Sequence, residues 1–283
     1  MQMNGKFVDI TTFNHDNLTK SYKMKNILIL FSLLLVLSSC KNQSGQDAST
    51  ESTAVDSTMT KYTLTPFSTS KDFPDASLKA MAYTDGTFST VISGSSYKLG
   101  EQTSDATQKS CANSKEGQHL HLIVDTEPYV AKYESSFTHE IPDGEHYLLC
   151  FLSRSYHESL KTPTAYKAVK ASVAAKSITT MADIKEPMLF YSRPKGLYTG
   201  EDTKKVMLDY YLINADQAGF KVEADINGEK HMLENWQPYY IEGLPEGDNT
   251  IKLSLIDSTG QLANVPLNPV SRTFKIEKTP VAN

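Results

Sequence analysis

Lys221-Val-Glu-Ala-Asp-Ile226, Asn227-Gly228 and Glu229-Lys-His-Met-Leu233 read as two strands joined by a two-residue turn. Both central positions of a type I′ turn need positive φ, and Asn-Gly is the pair that tolerates it best. Working outward, Ile251, Leu253 and Leu255 alternate with Lys252 and Ser254, the period of a half-buried strand. Val206, Leu208, Tyr210 and Leu212 alternate with Met207, Asp209 and Tyr211 in the same manner. Tyr147-Leu-Leu-Cys-Phe-Leu152 is a continuous apolar run, expected as a central strand buried on both sides. Along 61–278 no apolar stripe of helical period extends over a dozen residues, so the class is all-β.

An internal repeat sets the domain count. Ile141-Pro-Asp-Gly-Glu-His146 precedes the apolar strand of the first half, and Leu244-Pro-Glu-Gly-Asp-Asn249 precedes the strand at Ile251 at the same offset. Upstream, His119 to Asp125 has its counterpart in Phe220 to Asp225, with about a two-residue difference in between. Two copies of about a hundred residues with several short strands predict two tandem immunoglobulin/fibronectin-like β-sandwich domains. We expect them at 71–178 and 185–278, with Ala171 to Glu186 as the connection.

The N-terminal part has a different character. Lys25-Asn-Ile-Leu-Ile-Leu-Phe-Ser-Leu-Leu-Leu-Val-Leu-Ser-Ser-Cys40 has a basic start, an apolar run and small residues before a cysteine, the arrangement of a secretory signal peptide. The run of about eleven apolar residues is shorter than the roughly twenty that cross a bilayer. Leu37-Ser-Ser-Cys40 resembles a bacterial lipobox, which implies cleavage before Cys40, lipidation of its thiol and a membrane-tethered protein. Lys41 stands where an enterobacterial inner-membrane retention signal has Asp, so delivery to the outer membrane of the cell envelope is expected. On this reading the chain is expected to divide into a mis-assigned extension at 1–23, a signal peptide at 24–39, and a lipidated Cys40 with a polar flexible linker through 70. A net charge of −5 provides no basic field for nucleic acid.

Leu99-Gly-Glu-Gln-Thr103, Gly117-Gln-His-Leu-His-Leu-Ile-Val-Asp125 and Phe151-Leu-Ser-Arg-Ser-Tyr-His-Glu-Ser159 resemble the first half of a family of uncharacterised envelope lipoproteins of Bacteroidetes bacteria. Pro187-Met-Leu-Phe-Tyr-Ser-Arg-Pro-Lys-Gly196 and Tyr239-Tyr-Ile-Glu-Gly-Leu-Pro245 resemble its second half. The resemblance spans most of 72–278 and implies a family rather than an activity, although phosphopeptide binding has been attached to some members. The first half is also distantly similar to a small periplasmic domain of unknown function with a His-rich strand, a Gly-Glu-His turn and a later His. His119, His121, His146 and His157 take the matching places, while Gln118-His119 replaces that domain's doubled histidine.

His119 and His121 lie two apart on a strand, so both point to one face while Leu120, Leu122 and Val124 point to the other. Joined by His157 or an Asp, they would form a copper, zinc or nickel site; alternatively they are a solvated or hydrogen-bonded face opposite an ordinary core. Arg154 and Arg193, with Lys195, follow apolar runs and would receive a phosphate or carboxylate, or else end their strands in solvent. Trp236 and the tyrosines around it suit a glycan or envelope-protein partner if exposed, and core packing if not. Cys111 and Cys150 either pair as a disulfide or stay as small buried hydrophobes. His157-Glu158 begins like a zinc-protease helix, but Lys161 stands where the second His belongs. No nucleophile elbow, phosphate loop, dinucleotide fingerprint or Cys-x-x-Cys is present, so no catalytic residue is assigned and the expected role is non-catalytic binding or scaffolding.

Overall fold

The computed structural model describes residues 62–215 and 219–278. The lipobox, signal peptide and N-terminal extension lie outside them. Among the described residues no helix is long and apolar enough to cross a membrane.

The linker expected to reach residue 70 ends by Tyr62. β1 (Thr63–Pro66) pairs antiparallel with a strand of the second half, and Tyr62 and Phe67 are buried on either side of it. Four strand residues leave too short a pattern to read, and it is their distant partner that holds them.

The first half follows with β2 (Ser77–Thr84), β3 (Thr87–Ser93), the single turn α1 (Ala106–Lys109), β4 (His119–Val124), β5 (Val130–Lys132), β6 (Ser136–Thr138), β7 (Gly144–Ser153), β8 (Tyr166–Ala174) and β9 (Ser177–Asp183). They form a sheet ordered β2-β3-β6 and a second ordered β5-β4-β7-β8-β9. Between the two sheets lie Leu120, Leu122, Leu148, Cys150, Leu152 and Val169, packed on Leu78, Tyr83 and Phe88. The central, doubly buried strand expected at 147–152 is β7. The segment 171–186 is not a connection. It is the end of β8, a turn with Ala175 and Lys176 at positive φ, and β9, which extends the sheet by antiparallel pairing.

The second half contains β10 (Met188–Arg193), β11 (Gly196–Thr199), a 3-10 turn at Gly200–Thr203, β12 (Val206–Ile213), β13 (Lys221–Ile226), β14 (Glu229–Leu233), β15 (Tyr239–Glu242), β16 (Gly247–Ile256) and β17 (Val270–Glu277). Its sheets are ordered β1-β15-β12-β10 and β11-β17-β16-β13-β14, and the predicted Asn227-Gly228 hairpin joins β13 to β14 with both residues at positive φ. Each half is a two-sheet β-sandwich of the immunoglobulin/fibronectin kind.

The repeated turn is the same corner twice. Asp125 and Asn227 both have positive φ, and each side-chain oxygen accepts the N–H of the strand opposite, Tyr147 in one copy and Thr250 in the other. His146 and Asn249 face them and bond back to the prolyl carbonyls of Pro142 and Pro245. His119 and Lys221 open matching strands 102 residues apart, and Gly144 and Gly247 open the next pair 103 apart, so the copies differ here by one residue rather than two.

The outer face of the β4–β7 sheet is covered by the β10–β12 face of the second half. Ile123, Leu149 and Phe151 pack there against Met188, Phe190, Tyr211 and Ile213. β12, expected to be half-buried, is therefore buried along both faces. Asp209 faces this seam, where its carboxylate accepts from Lys161 Nζ at 2.6 Å and from the Ser159 N–H at 3.0 Å.

Candidate metal centre

β4 carries the site. Alternation sends Leu120, Leu122 and Val124 into the first-half core and turns His119, His121 and Ile123 towards the seam. His119 and His121 are fully buried, so the solvated face weighed from sequence is not what these residues form. His119 pairs across the ladder with Ser153, the last residue of β7. The chain then turns back sharply: His157 N–H donates to Arg154 O, Arg154 N–H to Glu158 O, and Ser153 bridges Ser159. That turn, with His157 at a φ of 68°, lays its imidazole over His119.

The three histidines singled out from sequence converge. His119 Nε2 lies 2.8 Å from His121 Nε2 and 3.0 Å from His157 Nδ1, and one nitrogen from each ring lies within 4.8 Å of the others. His119 Nδ1 is 2.7 Å from the Gly117 carbonyl oxygen, which only accepts, so Nδ1 carries the proton and Nε2 presents its lone pair. One in-plane lone pair accepts one hydrogen bond, yet two nitrogens approach it. His121 Nδ1 has no partner. One cation shared by three lone pairs would meet all three converging nitrogens at once, and His121 Nδ1 is not one of them. Metal–nitrogen bonds of about 2.0–2.1 Å would open the two short contacts by roughly half an ångström.

Burial is the largest influence on these rings. It pulls His119 down to about 4 and His121 and His157 well below the ordinary histidine value, and Arg193 and Lys195 push in the same direction. Neutral imidazole is the ligating form.

Tyr129, just before β5, closes the site in a way the sequence did not signal. Its ring stacks on His121 at a centroid distance of 3.6 Å, and Lys195 Nζ lies 4.1 Å from its centroid. Its hydroxyl accepts from Arg193 Nη1 at 3.1 Å and lies 3.4 Å from His157 Nδ1. Arg193 reaches this place through a bulge in β10: the register slips between Tyr191 and Arg193, so Arg193 sits opposite Asp209, on the seam side.

The other candidates are placed elsewhere. Arg154 is buried, donating to Lys71 O and lying 3.4 Å from Glu158; Arg193 is buried on Tyr129 and Tyr198. Neither is a solvated strand end, and neither is open to a phosphate. Trp236 is half-buried, donates from Nε1 to Tyr210 O and packs edge-on to Tyr211, so packing rather than an open aromatic patch is its role. Cys111 and Cys150 are both free and buried, with no disulfide: Cys150 lies in the first-half core, and Cys111 in a separate cluster with Phe67, Tyr156, Met207 and Tyr240. His146 belongs to the repeated corner and not to the cluster.

No family model matches the chain, and no curated protein matches it in sequence. Among solved structures it is similar to the fibronectin(III)-like modules of Clostridium thermocellum CbhA, at 12% identity over 79% of this chain and 97% of that one, with a TM-score of 0.28. It is also similar to the central fibronectin-III array of RIM-binding protein, at 9% identity over 76% and 73% with a TM-score of 0.26. A third similarity is to Bacteroides ovatus SGBP-B, solved with a mixed-linkage heptasaccharide, at 8% identity over 77% and 71% with a TM-score of 0.20. Likeness at this level concerns the type of domain and carries nothing about ligands.

Proposed function

We propose that this chain is a lipid-anchored cell-envelope protein with a non-catalytic binding role, and that its ligand is a copper or zinc ion held by His119, His121 and His157. The observation that carries the reading is the approach of three ring nitrogens, one from each histidine, on a buried face where each must be neutral. Imidazole suits both metals. Three imidazole nitrogens are an established zinc ligand set, and copper accepts the same donors. Anchoring rests on the lipobox-like Leu37-Ser-Ser-Cys40 and the polar stretch that follows it.

The test is the metal content of the full chain, purified in detergent without a histidine tag after copper or zinc exposure. One metal per chain, falling below about a tenth in the His119→Ala/His121→Ala double variant, is the expected result. A metal-free protein, or uptake unchanged in the double variant, would overturn it. The anchor is tested separately: Cys40→Ala should release the protein from membranes or leave an unprocessed precursor, and a processed variant still on the membrane would refute it.

A further inference from the structure

We infer that the three-histidine centre selects monovalent copper over a divalent ion such as zinc; this deepens the metal reading above and rests on it. The argument is one of charge. The charged side chains that weigh on all three imidazoles are cationic, Arg193 and Lys195, and the carboxylate next in sequence to His157, Glu158, is paired with Arg154. Arg193 and Lys195 are both fixed: Arg193 bonds the hydroxyls of Tyr129 and Tyr198, and Lys195 donates to Tyr129 O while lying over the ring that also stacks on His121. Nor does the ligand set supply negative charge, since His119, His121 and His157 are the only grouping of three histidine, cysteine or carboxylate side chains suited to a metal among the described residues.

A divalent ion in such a place would bear two penalties. The desolvation cost of an ion rises with the square of its charge, so a doubly charged ion loses roughly four times as much as a singly charged one on entering a buried site. Its repulsion from Arg193 and Lys195 is also doubled. Zinc further seeks a fourth ligand, and the rings of Tyr129 and Tyr133 crowd the buried histidines from which that ligand would have to be reached. Three neutral nitrogens and a nearby positive field suit a monovalent d10 ion that is stable with three donors.

The experiment titrates the full chain in detergent at pH 7 with Cu(I) under anaerobic conditions against a chromogenic Cu(I) chelator, and with Zn(II) against a zinc-binding dye. One Cu(I) per chain, bound at least about 100-fold more tightly than Zn(II), is expected. Lys195→Gln keeps an N–H donor towards Tyr129 O while removing a charge, and should narrow that ratio about tenfold; Lys195→Met is the second variant if the first fails to fold. Zn(II) binding as tight as Cu(I), both lost in His119→Ala/His121→Ala, would overturn the preference and leave the metal centre standing. A ratio unmoved by either Lys195 variant would overturn the charge argument. Failure to bind either ion would overturn the metal reading itself.

Discussion

The Nδ1–H of His119 donates to the carbonyl oxygen of Gly117 at 2.7 Å, so a backbone group two residues upstream chooses which nitrogen of this imidazole faces His121 and His157. Gly117 can take that position because it has no side chain: its φ is 87°, and a Cβ would stand 2.5 Å from Gly100 O. Gly117→Ala should therefore lower the melting temperature and reduce metal uptake together. An unchanged melting temperature with native uptake would show that the 100–117 contact is not needed to orient His119.

Acid should destabilise the metal-free protein over a defined window. Above pH 6.5 His119 is neutral in both folded and unfolded chains and contributes no pH dependence; between 6.5 and about 4 the unfolded chain takes up a proton that burial denies the folded one. Stability then falls as pH falls, on the order of 3 kcal/mol for His119 alone. His121 and His157, shifted in the same direction by burial, extend the loss to lower pH. Urea unfolding of chelator-treated protein at several pH values measures this, and a flat profile from 6.5 to 4 would contradict burial of the cluster.

Across the seam, Asp209 is fully buried with Lys161 as its ion-pair partner. Lys161→Met should cost about 3 kcal/mol, because it strands a buried carboxylate. Adding Asp209→Asn should restore at least half of that, since the amide oxygen still accepts from the Ser159 N–H. Additive single-variant losses in denaturant unfolding would mean the pair is not coupled.

Cys111 and Cys150 should behave as buried thiols. Burial pushes both up to about 12, far from thiolate formation at neutral pH. A thiol reagent followed by peptide mass spectrometry should label them only after unfolding, and a reductant should leave the melting temperature unchanged. Recovery of a Cys111–Cys150 cross-linked peptide from untreated protein would refute the free state.

Much of the fold was legible because the signals were local. The Asn227-Gly228 turn, the alternation at Ile251 to Leu255 and the apolar run of β7 each depend on neighbours a few residues away. So did the shared face of His119 and His121, which follows from strand alternation alone. β1 and β9 were missed, one taken as tether and the other as connection, because each is held by a ladder to a partner strand rather than by a pattern of its own.

The sequence by itself determined the class, the repeat and the strand that carries two histidines, and it left the third ligand open between His157 and an Asp. Only the tertiary structure decided what surrounds them. Whether the second face of β4 meets water or protein depends on the packing of the second half, and that packing buries His119 and His121. The turn after β7 decides that His157 lies over His119, and the bulge in β10 decides that Arg193 reaches Tyr129. These are contacts between residues tens of positions apart, and the spacing of residue types along a chain carries no record of which distant surfaces meet.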